Sequence, residues 1–99
     1  MILVIALRNR VIGYLNAAIT QTEAYRKKVI VAEICDMAIE KKYRGQGIGK
    51  ILFKAFAQWA TDRKAKILRV IASPDNDNAC GFYSKISFKP ISVTFERKL

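Results

Sequence analysis

Three glycines stand at alternate positions, Gly45, Gly47 and Gly49, between Arg44 and Lys50. They fall just where an apolar, helix-spaced run begins. No Ser, Thr, Asp or Asn lies between Glu40 and that run, so the helix start has no side-chain acceptor for its first backbone N–H groups. An uncapped helix N-terminus carries partial positive charge, and two flanking cations add to it. That arrangement is suited to holding a phosphate or pyrophosphate. Two familiar phosphate loops fail on spacing. A P-loop places four residues between its glycines and a Ser or Thr after its lysine. Here three residues separate Gly45 from Gly49, and Ile51 follows Lys50. Gly45-Gln46-Gly47 begins the dinucleotide turn G-x-G-x-x-G, but Lys50 occupies its closing position.

The other residues that could do chemistry are few. The 99-residue chain has no histidine, which excludes a His triad, a His metal site and a His general base. Acid–base work falls to Glu, Asp, Tyr, Lys, Cys or water. Glu33 and Asp36 are the acidic residues of the apolar run Val29 to Ile39, and a carboxylate among Ile and Val is a candidate base. They are three positions apart, so period-two alternation puts them on opposite faces of a strand. Cys35 and Cys80 are 45 positions apart, neither a metal pair nor a redox C-x-x-C. They read as small buried apolar residues in a reducing, cytoplasmic setting, and no metal is expected.

Lys and Arg number 18 against 8 Asp and Glu, a net charge of +10. That favours anionic partners: a phosphorylated cofactor, an acidic surface or nucleic acid. Nucleic acid is the least supported, because the chain has no recognisable binding motif or aromatic platform. Apolar residues make up 52%, enough for a core, and no apolar run reaches the ~18 residues that span a bilayer, so no membrane partner is expected. Met1 to Leu7 lacks a basic leader and a small-residue cleavage site, and reads as a strand.

The elements that must position these residues follow in order, as a single domain over residues 1–99. Ile2 to Leu7 and Val11 to Ile19 are apolar and β-branched, and the polar turn Arg8-Asn9-Arg10 makes them a hairpin. Gly13 inside the second strand signals a bulge or a close backbone approach. Thr20 to Lys28, polar around Tyr25, reads as the longest loop and a cover for a site. Val29 to Ile39 is the third strand. A helix runs from about Ile48 to Thr61, with an apolar stripe of Ile48, Ile51, Leu52, Ala55, Phe56 and Trp59. Lys66 to Ala72 is a fourth strand, parallel to the third because a helix connects them. A turn from Ser73 to Asn78 leads to a second helix carrying Ala79, Phe82, Tyr83 and Ile86. Ile91, Val93 and Phe95 alternate with polar residues and predict a last strand. The order β-β-β-α-β-α-β is an α/β fold with a mixed sheet.

The turn matches [RQ]-x-x-G-x-[GA] as Arg44-Gly45-Gln46-Gly47-Ile48-Gly49. About 30 residues on, Asn76-x-x-Ala79-x-x-Phe82-Tyr83 is followed by Lys85-Ile86-Ser87-Phe88. With the preceding strand and following helix, these motifs resemble the GNAT superfamily of acetyl-CoA-dependent N-acetyltransferases, from Ile2 to the C-terminus. The resemblance implies a GNAT-like acyl-CoA N-acyltransferase fold. It also implies transfer of an acetyl group from acetyl-CoA, the acyl-donor substrate, to a primary amine of a small molecule or protein. The pyrophosphate would sit on backbone N–H groups from Gly45 through Gln46, Gly47, Ile48 and Gly49 to Lys50, with charge from Arg44 and Lys50. The pantetheine arm would pair with the strand edge at Met37, Ala38 and Ile39, where the crossover strands splay. Asn76 matches a position that holds the cofactor arm, and also reads as a helix cap. Tyr83 matches the tyrosine that protonates the leaving thiolate. Glu33 resembles the base of the histone-acetylating branch, with Asp36 as its rival.

Two departures from the family pattern stand out. Ser87 replaces a glycine that usually adopts a left-handed conformation, at a cost of about 1 kcal/mol. Met1 opens directly on the hairpin, without the strand and helices that usually precede it and wall the acceptor site. The chain is therefore expected to be a minimal member with an open acceptor groove or a fragment, and its uncovered edge strand makes a homodimer the expectation. The competing reading is a catalytically weak or inactive CoA-binding or interaction module of the same fold.

Overall fold

The computed structural model describes residues 1–24, 27–72, 77–91 and 95–98. Strand β1, Ile2–Leu7, and β2, Arg10–Ala24, form an antiparallel hairpin in which Leu7 pairs with Arg10. The two turn residues, Arg8 and Asn9, both have positive φ, 51° and 65°. That is the conformation a two-residue hairpin turn needs to match the strand twist. Strand β3, Lys27–Ile39, runs antiparallel to β2, and the pairing continues outward as far as Ala24 opposite Lys27. The stretch Thr20 to Lys28 is therefore not a long covering loop. Its described residues extend the two strands, because ladder pairing satisfies their backbone groups whatever their side-chain polarity. Tyr25 lies outside the described residues.

After a single 3-10 turn, Lys41–Tyr43, comes helix α1, Ile48–Asp62. Strand β4, Ile67–Val70, then pairs parallel with β3, as the crossover rule predicts. The sheet order is β1-β2-β3-β4, and helix α2, Asp77–Lys85, follows. A strand over Ile91 to Phe95 has its centre, residues 92–94, outside the described residues. Ile91 and Phe95 themselves are 85% and 90% exposed and carry no strand pairing.

The core lies on one face of the sheet, where Leu15, Ala17, Ala32 and Ile34 meet Leu52, Phe56 and Ala60 of α1 and Tyr83 of α2. Fully burying a side chain such as Leu52 or Phe56 contributes about 1.5–3 kcal/mol. The buried stripe of α1 is Gly49, Leu52, Phe56 and Ala60. Ile51 and Ala55 are exposed, so the apolar face sits one residue around the helix from the expected one. The opposite face of the sheet carries no described helix, and Ile2 and Val4 of β1 are 70% and 58% exposed.

Two bulges set which side chains share a face. Between Ile5 and Ala6 the β1 register skips Ile12 of β2, immediately before Gly13. A Cβ on Gly13 would stand 3.4 Å from the Ala38 carbonyl oxygen, so the glycine marks both a bulge and a close approach. Between Asn16 and Ala17 the β3 register skips Cys35: Asn16 faces Asp36 and Ala17 faces Ile34. The extra residue resets the alternation. Glu33 pairs with Ala18 and Asp36 with Asn16, and Ala18 and Asn16 are two apart on one strand. Glu33 and Asp36 consequently share one face of the sheet, the one away from α1, and not opposite faces.

Candidate active site

Gly47 is the N-cap of α1, with φ 84°, and makes no side-chain capping hydrogen bond. Gly45 also has positive φ, 77°, and a Cβ at either position would meet nothing within 4 Å. Their glycine requirement is therefore conformational, in a turn that leaves open space above the backbone. The first helical hydrogen bond runs from Ile51 N–H to the Gly47 oxygen at 3.1 Å. The N–H groups of Ile48, Gly49 and Lys50 precede it and have no acceptor within the helix. Gly49 differs from its two neighbours. It is buried, and a Cβ there would stand 3.1 Å from Cε1 and Cζ of Phe82, so close packing of α1 on α2 also demands glycine.

The cations around this turn are held differently. Arg44 donates from Nε to the Ile39 carbonyl oxygen at 3.0 Å, tying the turn to the end of β3 and leaving the guanidinium exposed. Gln46 donates from Nε2 to the Lys42 oxygen at 3.4 Å, and Lys50 is exposed.

The parallel pairing of β3 with β4 spans only Val31 to Ile34 against Ile67 to Val70. Beyond it β3 continues to Ile39, bonded to β2 on one side and without a β4 partner on the other. A cleft of about 180 Å³ opens there, lined by Asp36, Met37, Ile71, Ala72, Ala79 and Tyr83. Tyr83 is 8% exposed, and its ring stacks edge-on against Phe82 and Phe88 at centroid distances of 5.5 Å. Burial, and secondarily the Asp36 charge, push its phenol above the ordinary value of 10.0, so the hydroxyl keeps its proton at neutral pH.

Among the residues singled out from sequence, Met37, Asp36 and Tyr83 come together at this cleft. Ala38 and Ile39 lie further along the same free strand edge, toward the glycine turn. Glu33 is half-buried beside Arg69 in the parallel register, before the strands part, and does not line the cleft. Asn76 lies outside the described residues. Sequence reasoning missed Tyr14, whose hydroxyl donates to Asp36 Oδ2 at 2.5 Å. No local pattern marks it, because the contact depends on the register across the Cys35 bulge. No group of three or more metal-ligating side chains occurs among the described residues.

The sequence model of the acetyltransferase (GNAT) family matches residues 1–88. N-alpha-acetyltransferase 30 of Schizosaccharomyces pombe is 31% identical over 76% of this chain and 50% of its own length. The chain spans about half the length, or less, of the curated relatives it matches. A solved aminoglycoside acetyltransferase, meta-AAC0020 from an uncultured soil metagenomic sample, has 29% identity and a TM-score of 0.80, over 99% of this chain and 64% of that one. Aminoglycoside N-acetyltransferase AAC(6')-Iy, solved in complex with CoA, shares the fold with a TM-score of 0.83 at 20% identity, over 97% of this chain and 73% of that one.

Proposed function

The chain belongs to the acetyltransferase (GNAT) family, and from that premise we propose that it transfers the acetyl group of acetyl-CoA to a primary amine. The observation that carries this reading is the continuity of the uncapped turn before α1, the free edge of β3 and the cleft over Tyr83. The pyrophosphate of the donor rests on the N–H groups of Ile48, Gly49 and Lys50, beside Arg44. Gly45, Gln46 and Gly47 let the backbone come close. The amides of the pantetheine arm pair along the open edge of β3 beside Met37, Ala38 and Ile39, as an added strand would. The thioester then reaches the cleft.

The amine nitrogen attacks the thioester carbonyl carbon, and the carbon–sulfur bond breaks as the tetrahedral intermediate collapses. The departing thiolate takes the phenolic proton of Tyr83, and the nitrogen, which attacks as the neutral amine after its ammonium proton has passed to water, gives up a second proton to a carboxylate or to water. The raised pKa of Tyr83 suits it to this role, since its proton is present until the thiolate forms. Glu33 remains a candidate base only through an intervening water, because it stands before the cleft. Asp36 lines the cleft itself.

Calorimetry with acetyl-CoA, followed by thiol release with a panel of primary amines, tests the reading. Tyr83→Phe is expected to lower kcat by about 100-fold, the usual weight of a positioned general acid, with acetyl-CoA affinity within twofold of wild type. Acetyl-CoA binding without any effect of Tyr83→Phe on turnover would remove the acid role. Absence of acetyl-CoA binding would remove the whole reading.

A further inference from the structure

We infer that Tyr14 and Asp36 form the acceptor subsite: Asp36 accepts hydrogen bonds from a cationic primary amine, and Tyr14 is the positioning residue that aims its carboxylate. The inference rests on the acetyl-transfer reading and says from which side, and through which groups, the acceptor enters.

Tyr14, Asn16 and Ala18 alternate with the buried Leu15 and Ala17, so they lie on the sheet face away from α1. The Cys35 bulge brings Asp36 onto that face, directly across from Asn16. Without the bulge, period-two alternation would turn Asp36 into the core. Asp36 is also among the residues that line the cleft with Tyr83, and its charge is felt by the Tyr83 phenol. Asp36 therefore bridges the two sides of the sheet at the point where β3 and β4 part: the donor cleft on one side, the open face on the other.

The carboxylate is also available. The chain carries 18 basic residues, yet among the described residues the ion pair is Arg10 with Glu40, and no basic side chain pairs with Asp36. Its one described side-chain partner is the Tyr14 hydroxyl, bonded to Oδ2 at 2.5 Å. A short bond from a phenol to a carboxylate is a strong, charge-assisted one. It occupies one oxygen and fixes the carboxylate plane. Oδ1 is left to accept from an incoming ammonium or amine. Glu33, the other carboxylate of this face, lies beside Arg69 and outside the cleft. A local negative charge at the cleft of a protein of +10 favours a cation there.

The test uses the 15N-labelled chain saturated with CoA, with ethylammonium chloride as the amine probe and tetramethylammonium chloride, a cation that cannot donate, as control. Saturable shifts of the Cys35, Asp36, Met37 and Asn16 amides are expected with ethylammonium and absent with tetramethylammonium. Tyr14→Phe should weaken ethylammonium binding by about fivefold, the weight of one orienting hydrogen bond. Asp36→Asn should abolish the shifts. CoA affinity of both variants, measured on the same samples, should stay within twofold of wild type, which separates a subsite role from a structural one. The inference is overturned if ethylammonium gives no saturable shift, shifts amides elsewhere, or binds Asp36→Asn or Tyr14→Phe as well as wild type. If wild type fails to bind CoA, the acetyl-donor reading falls first; if CoA binds and the amine does not, the subsite alone falls.

Discussion

Gly49→Ala separates two reasons for a glycine in the anion turn. A Cβ at Gly49 would lie 3.1 Å from two ring atoms of Phe82 and 3.4 Å from Cδ1 of Ile39. Contacts that short require the ring to shift, and one added methyl in a close-packed site costs about 1–3 kcal/mol. Replacing glycine by alanine in a helix returns up to about 1 kcal/mol, and less in the first turn. The balance is a net loss of about 1 kcal/mol, or a fall in Tm of about 4–8 °C for a domain of this size. Phe82 stacks on Tyr83 at 5.5 Å, so the displaced ring presses on the proposed acid as well. Urea or thermal unfolding reads the effect, and Phe82→Leu provides the control. If the cost is the collision, the double variant should be about 1 kcal/mol more stable than the sum of the single changes. Strict additivity, or a Gly49→Ala protein as stable as wild type, would refute the packing account. Glycine at this position would then be needed for the cofactor alone.

Two further outcomes follow from the geometry. Ser87 has φ 74°, a left-handed conformation that closes α2, with Phe88 N–H bonded to the Tyr83 oxygen at 2.9 Å. Ser87→Gly should therefore raise stability by about 1 kcal/mol, seen as a higher Tm without loss of acetyl-CoA binding, and an unchanged or lower Tm would contradict the strain. The phenol of Tyr83 is raised by burial first and the Asp36 charge second, and that of Tyr14 by its hydrogen bond to Asp36 first, then by burial and the Asp36 charge. A raised tyrosine pKa means that the folded chain holds the proton more tightly. That stability is fully present below the unfolded value near 10 and is lost as pH rises through the folded one. Thermal unfolding from pH 8 to 11 should fall more steeply for wild type than for Tyr83→Phe; parallel curves would remove the linkage.

The donor half of the site was legible because it is made of backbone. An anion turn needs glycines at fixed spacing, no side-chain cap and nearby cations, and all three are local properties of Arg44 to Lys50. Helix α1 was legible for the same reason, its bounds differing by one residue from the expected ones. Less was legible where neighbours decide. The stretch from Thr20 to Lys28 is polar, and polarity suggests a loop, but pairing with the opposite strand holds its described residues extended. Helical spacing puts Ile51 in the core stripe, yet α1 turns its buried side through Gly49, because the small residue lets Phe82 approach. Gly49 itself fits the motif spacing equally well under both roles, and only the position of Phe82 shows that packing is one of them.

The proposed acceptor half depends on one residue skipped in the strand register, and that is why alternation alone does not place it. Sequence period places Glu33 and Asp36 on opposite faces; the skip at Cys35 places them together. A bulge has no dependable local signature, since it records a mismatch between two strands and not a property of one. Its effect is nonetheless chemical. The pairing of β3 with β4 ends at Ile34, just before the bulge, where the cleft opens, and the bulge turns the next carboxylate out of the core toward Tyr14. The opening of the cleft and the proposed acceptor contact thus meet at the same extra residue. Removing Cys35 from the strand would be expected to close the cleft and bury Asp36 together, whereas changing its side chain alone would do neither.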